Sequence, residues 1–357
     1  MFAARSAVIW RRSTARAARV DPPSATAYSA RHHDRKSPAP QPVVTRTRAF
    51  PALANTQTYP VRPIRLVVPF PPGGTIDFVG RLVAQGIGDR IGQTVVVDNR
   101  GGAGGMIGVE LVVKSAPDGY TLCLCGAGSM ISSTLMAAKP PYDARRDIAP
   151  VSLVASAPYL LLVRNAPGLN SVQDLLTQAK QNPGKLNYGS AGSGSTAHLA
   201  AALFASMAHI NVVHVPYKGS APAATDLFGG QIQFLLEAIG AGTQYVKTGR
   251  LRALGVSTLK RSRLLPDLPT IHEQGVTGYE ITTWHALGAP RGTPPAIVER
   301  LSREAVASLQ APEARERLAV VGVEPHGTTP AQMGEFINRE FPRWEKLLTQ
   351  LGLRGRP

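Results

Sequence analysis

From Ile64 onward, short runs of β-branched and other apolar residues alternate with longer stretches of helical periodicity. That alternation predicts βαβ units whose strands are covered on both faces. Ile64–Val68, Thr94–Asp98 and Thr121–Cys125 read as strands, with helices from Ile76 to about Gly88 and from about Met106. The apolar run Val151–Val163 is interrupted by Pro158, and there the chain is expected to cross into a second lobe. The same pattern then restarts. Ser171–Gln181 is helical, with Ser171 as N-cap and Asp174 three residues on; Lys185–Tyr188 is a strand, and His198 to about Met207 a helix. Further strands are expected at Val212–Val215, Gln231–Leu236 and Leu251–Val256, and an Ala-rich helix from about Ala221. A strand over Ile281–Gly288 returns to the first lobe, and the helices Pro295–Leu309 and Pro330–Leu351 each open with a proline.

A chain of 357 residues with 43% hydrophobic content can bury a large core. Its formal charge of +16 would ordinarily suggest an acidic partner, so the distribution decides. Residues 1–58 hold ten Lys/Arg against two Asp/Glu, half of the excess. The remainder is scattered, with no Lys/Arg-rich run and no aromatic interleaving, so no nucleic-acid partner is expected. The first 58 residues read as a disordered extension or an atypical leader. Ala7–Trp10 is too short an apolar patch for a secretory core or a membrane span, and Arg11-Arg12 is a weak twin-arginine match. Ala52-Leu53-Ala54 nevertheless has the small-x-small form of a signal-peptidase site. Cys123 and Cys125 would share one sheet face as small apolar residues, without ordinary disulfide geometry and without the ligand spacing of a metal site.

Two glycine loops carry the chemistry. Ile64–Val68 leads into Phe70-Pro-Pro-Gly-Gly-Thr-Ile-Asp77 and a helix, while Leu186–Tyr188 leads into Gly189-Ser-Ala-Gly-Ser-Gly-Ser-Thr196 and a helix. A helix N-terminus offers unpaired N–H groups and the positive end of the dipole, and glycine lets an anion approach the backbone. Neither loop contains Lys or Arg, so an anion there would be held by backbone dipoles and by hydroxyls such as Thr75, Ser193, Ser195 and Thr196. One such loop alone is more often just a tight turn. Two matching loops favour a shared ligand at the carboxyl ends of the strands.

Enzyme motifs are incomplete. Gly189 to Ser195 has a P-loop spacing without its lysine, and Gly102 to Gly108 places its last glycine one position late for a dinucleotide fingerprint. Tyr188 stands where a nucleophile elbow around Ser190 needs glycine. No catalytic residue, metal site or cofactor is therefore assigned. His214, Tyr217 and Lys218 form a polar cluster that reads equally as a structured turn or a cleft wall, and Trp284-His285 reads as packing, hinge or cleft wall.

Several segments carry a resemblance to a known family: Tyr59–Asp77, Asp98-Asn-Arg-Gly-Gly-Ala-Gly-Gly105, Ala116–Tyr120, Leu186–Gly192, His214–Ser220 and Leu251–Val256. In order and without large insertions, they resemble the Bug receptors, the periplasmic substrate-binding proteins of tripartite tricarboxylate transporters. The resemblance implies an α/β, two-lobed periplasmic-binding (Venus-flytrap) fold, each lobe a mainly parallel sheet flanked by helices. Lobe 1 is expected over 59–160 plus 281–357 and lobe 2 over 161–280. It further implies a small carboxylate clamped by Phe70, Gly73, Gly74, Thr75 and Asp77 from one side. Ser190, Ala191, Gly192, Ser193, Ser195 and Thr196 would clamp it from the other, with Gly126, Ser129 and Glu237 near its variable end. The implied partners are that ligand and membrane transporter subunits; the protein itself would be a periplasmic monomer, not membrane-embedded. Phe234-Leu-Leu-Glu-Ala-Ile-Gly departs from the usual Asp/Asn-bearing segment and leaves the ligand open. The competing readings are an α/β enzyme and a cytosolic sensor acting on a small carboxylate.

Overall fold

The structure, a computed structural model, describes residues 59–355. The extension or leader over 1–58, with Arg11-Arg12 and Ala52–Ala54, lies outside the described residues. The strands are β1 (Ile64–Val68), β2 (Val95–Asn99), β3 (Thr121–Gly126), β4 (Ile148–Arg164) and β5 (Asn187–Ser190), then β6 (Val213–Pro216), β7 (Phe234–Ala238), β8 (Leu251–Val256), β9 (Thr282–Pro290) and β10 (Glu324–Pro325). They run in the order β2-β1-β3-β9-β4-β7-β5-β6, with β8 and β10 also paired to β4. β1 is parallel to β2 and β3, and β5 is parallel to β6 and β7, as crossover connections require. The parallel character belongs to these outer groups. β4 and β9, which join them, are antiparallel to their neighbours.

β4 is the element common to both halves. Its first part, Ile148–Pro158, pairs with β9, and its last, Tyr159–Arg164, lies between β7 and β8. The partners change at Pro158, a residue with no N–H to give a ladder. Along β4, Leu160 and Leu162 join one apolar core while Leu161 and Val163 join the other, on the opposite face of the sheet. With both faces covered, Leu160–Val163 reads as an unbroken apolar stretch.

The helix Val172–Gln181 has the reciprocal capping box of Ser171 and Asp174 that its sequence announces. The last helix, Pro330–Gln350, docks on β9 through Glu340, whose Oε2 accepts from Trp284 Nε1 at 3.1 Å and Trp344 Nε1 at 2.9 Å. Trp284 is thus a packing residue. β5 and β7 begin two to three residues later than the apolar pattern suggests: Lys185 N–H still closes the turn after the helix Val172–Gln181 by donating to Asn182 O, and Gln231 N–H closes the end of the helix Ser220–Gly229 by donating to Asp226 O. Apart from the single-turn helices Ser133–Met136 and Ala144–Asp147, two further helices escape the sequence pattern. Ile239–Lys247 carries two glycines, and Pro312–Val320 is strongly polar, so neither shows the usual propensity or stripe. The two cysteines also differ from expectation. Their Cα atoms are 5.7 Å apart on β3 and the sulfurs are bonded, a separation a disulfide accommodates.

Candidate functional site

The carboxyl ends of β1, β3, β5, β6 and β7 converge, and a helix starts at each, as open α/β sheets place their ligand crevices. Gly74–Ile76, Gly126 and Gly128, Ser195–Ala197, Ser220 and Ala238 border one small cavity of about 80 Å³. Bonds between the two halves cross beside it. Ala241 N–H donates to Thr75 Oγ1 (3.2 Å), Gly128 N–H to Thr196 Oγ1 (3.1 Å) and Ser132 Oγ to Gly194 O (2.6 Å).

Two helix starts bring unclaimed donors to this space. The N–H groups of Gly74, Thr75 and Ile76, and those of Thr196 and Ala197, find no acceptor among the described residues. Each set lies at the positive end of a helix dipole, in the helices Thr75–Ile91 and Thr196–Met207. Among the described residues no Lys or Arg borders the cavity. The arrangement can therefore solvate a carboxylate with backbone dipoles from both sides.

The predicted site residues divide into two groups. Phe70, Gly74, Thr75, Gly126, Ser129, Ala191, Ser195, Thr196 and Glu237 border the cavity. Gly73, Asp77, Ser190, Gly192 and Ser193 lie behind it. Asp77 accepts from Gly73 N (3.1 Å), Asn99 Nδ2 (2.9 Å) and Arg81, while Asn99 Nδ2 also reaches Phe70 O (2.9 Å), so Asp77 braces the first loop. Burial raises its carboxyl, but the bonds from Arg81, Asn99 and Gly73 outweigh this and hold it below the usual carboxylate range. In the second loop Ser190 Oγ meets His214 Nε2 at 2.7 Å and accepts from Gly192 N at 3.1 Å. His198 Nδ1 accepts from Gly194 N at 3.2 Å. The rings of His198 and His214 stack with centroids 3.9 Å apart. Burial pushes His198 down to about 4; burial, then the neighbouring His198, pushes His214 down to about 3. Both imidazoles are neutral. Of the remaining polar cluster, Tyr217 bonds Asp226 at 2.6 Å and Lys218 faces solvent.

Several cavity residues were not singled out by sequence. Tyr159 on β4 and Thr283 on β9, both inside apolar runs that read as core, form a floor together with His285, for which a cleft wall was one of the sequence readings. The sequence hint was His285, a histidine within such a run. Its two ring nitrogens have no partner among the described residues, and neither has Glu237 Oε2. Glu237 Oε1 accepts from Ala238 N at 3.2 Å. Burial pushes Glu237 up to about 7 against the pull of the Ser220 hydroxyl and the Ala238 N–H.

A two-lobed α/β fold with an interlobe cavity and dipolar clamps defines a solute-binding protein of the periplasmic-binding class. Residues 79–353 match the family described as the tripartite tricarboxylate transporter family receptor. The chain belongs to that family. It is 38% identical to the protein BugT of Bordetella pertussis over 307 residues, 86% of this chain and 94% of BugT. Among solved structures it is similar to Rpa4515 of R. palustris with adipate (TM-score 0.80, 39% identity, 83% of this chain and 99% of that one). It is also similar to MatC of Rhodopseudomonas palustris with bound malate (TM-score 0.77, 30% identity, 81% and 100%).

Proposed function

We propose that this receptor works in the periplasm as a monomer, captures a small carboxylate between lobes formed by 59–160 plus 281–357 and by 161–280, and hands it to the membrane subunits of a tripartite tricarboxylate-type transporter. The observation that carries this reading is the pair of unclaimed N–H sets, at Gly74–Ile76 and Thr196–Ala197, facing one cavity bordered by no cationic side chain among the described residues. One carboxylate oxygen fits each set, and closure of both lobes excludes the water that either half alone would leave. Adipate and malate, bound by the two relatives above, both carry such a group. Phe70, Ala191, Gly126 and Ser129 then shape the cavity, while Gly73, Asp77, Ser190, Gly192 and Ser193 hold the two loops in position. No helix among the described residues is long and apolar enough to cross a membrane.

A thermal-shift screen of mono-, di- and tricarboxylates, amino acids and their uncharged amides tests the reading. Acids should raise the melting temperature in a concentration-dependent way, as any ligand specific to the folded state does. Amides of the same shape should not. Stabilisation by amides as strong as that by acids would remove the dipolar carboxylate clamp from consideration.

A further inference from the structure

The clamps account for one end of a ligand, yet the cavity contains two more polar side chains with buried atoms that find no partner among the described residues. Glu237 sits at the end of β7 and is 5% exposed; His285 lies on β9 and is 4% exposed. Glu237 Oε2 and both nitrogens of His285 are buried without a partner among the described residues. Leaving three such atoms unpaired costs about 1–3 kcal/mol each. Side chains that served packing alone would have been cheaper as apolar residues. Both residues border the same cavity as the helix starts, alongside Tyr159, Thr283 and Ser220.

Resting on the carboxylate reading above, we infer that Glu237 and His285 are the specificity-determining pair for the far end of the ligand, and that this end is a hydrogen-bond donor, a hydroxyl or an amine, in preference to a second ionised carboxylate. Glu237 is built as an acceptor. The Ala238 N–H already donates to its Oε1 and the Ser220 hydroxyl lies beside it, so the open Oε2 calls for a donor. Neutral His285 brings one N–H and one lone pair; burial pushes it down to about 4. A hydroxyl can give to one residue and take from the other, and an amine can give to both. A second carboxylate meets the opposite situation. It would face a carboxyl group with no Lys or Arg bordering the cavity, and the other titratable groups near Glu237, Tyr159 and Tyr245, are held neutral by burial. Such a ligand binds only by taking up a proton, because two like charges at close range cannot both ionise.

Calorimetry on the full chain with γ-hydroxybutyrate, γ-aminobutyrate, succinate and butyrate separates these cases, with the comparison repeated one methylene shorter and longer. At a pH about one unit above neutrality, the better of the hydroxy and amino acids should bind at least about tenfold more tightly than butyrate, the return on one charge-assisted hydrogen bond. Succinate should be weaker than that acid and should tighten as pH falls. In buffers of different ionisation enthalpy, γ-aminobutyrate should release protons from Glu237 near neutral pH and succinate should take them up. Glu237→Gln should compress the hydroxy- or amino-acid preference over butyrate several-fold, and His285→Phe should do the same. If succinate binds as tightly as both donor acids above neutral pH, or if Glu237→Gln leaves the order of affinities unchanged, the donor-selective pair is wrong while the carboxylate clamp stands. If none of the acids binds at any chain length, the carboxylate reading fails and the inference fails with it.

Discussion

The two clamps look alike as sequence and are supported by different chemistry. Both are strand, glycine loop and helix start, and both direct unclaimed N–H groups into the cavity. The first is braced by a charged network: Asp77 collects Gly73 N, Asn99 Nδ2 and the exposed Arg81. The second is braced by two neutral, stacked imidazoles, with His214 on Ser190 and His198 on the Gly194 N–H. The charged brace is centred on the buried Asp77 and reaches the surface through Arg81, which has solvent as a fallback. The neutral brace has Ser190 and His198 buried and His214 half-buried, with no charge to draw water in, so the second loop should be the more rigid and the less forgiving.

The largest difference should appear at the loop glycines. Gly192 has φ +124°, and a Cβ there would lie 3.1 Å from Tyr217 O and 3.4 Å from Gly104 N. Strain at such a backbone costs about 1–3 kcal/mol before any clash is counted. Gly192→Val should therefore weaken carboxylate binding by about 100-fold or more. Gly74 has φ −85° and a Cβ there would meet only Ser220 Oγ, at 3.6 Å. Gly74→Val crowds the cavity without backbone strain, and a loss nearer tenfold is expected. Titration calorimetry on both variants decides; equal losses would mean that the conformational difference between the loops is immaterial.

Acid should undo the loops in sequence. His198, His214 and His285 have folded values pushed below the ordinary imidazole range, so the unfolded chain takes up protons first, and stability falls as pH drops below about 6.5. Each contributes a loss on the order of 2 kcal/mol by about pH 5. Glu237, pushed up to about 7, has the opposite sign: its protonation favours the folded state as pH falls and offsets roughly one imidazole. Asp77 is held low, so its contribution survives until pH falls below about 4. Amide exchange should show the second loop loosening near pH 5 with the first still protected. Simultaneous loosening, or a melting temperature flat over that range, would contradict the assignment of neutral braces.

Substituting the braces themselves should reproduce the asymmetry at smaller scale. Ser190→Ala leaves the buried Gly192 N–H and the half-buried His214 Nε2 without their partner and should cost about 2 kcal/mol. Asn99→Ala opens bonds to Phe70 O and Asp77 that water can replace, so about 1 kcal/mol is expected. Chemical denaturation gives both values.

How much of this was readable in advance follows the range of the interactions. The clamps are local: glycines, hydroxyls and the following helix lie within a few residues of one another, and Ser171 with Asp174 specifies its helix start the same way. The boundaries of β5 and β7 were less legible, since the turn bonds Lys185 N to Asn182 O and Gln231 N to Asp226 O override the apolar pattern. The cavity floor was legible only at His285, which the sequence left open as a cleft wall. Tyr159, Thr283 and His285 sit in runs made apolar by double coverage, and only the pairing of β4 with β9 brings them beneath the loops. The bracing role of His198 and His214 was hidden for the same reason, because their stacking joins a helix to β6 across the second loop.

The smallest expected effect concerns salt, and it tests whether the two loops share one binding chemistry despite their different braces. Arg81 lies next to the first loop, pairs with Asp77 at 3.0 Å and is half-exposed, so a ligand anion could in principle be attracted by it from that side alone. The cavity itself is bordered by no Lys or Arg, and its donors are backbone dipoles enclosed by both halves. Screening acts on exposed charges separated by about a Debye length, ~8 Å at physiological ionic strength, and only weakly on enclosed dipoles. Affinity for a monocarboxylate should therefore change by less than about twofold between low and physiological salt. Arg81→Gln should leave that slope as it is while loosening the first loop, since its partner Asp77 retains Asn99 and Gly73. A severalfold loss of affinity with salt that disappears in Arg81→Gln would show that the first loop binds by charge and the second by dipoles.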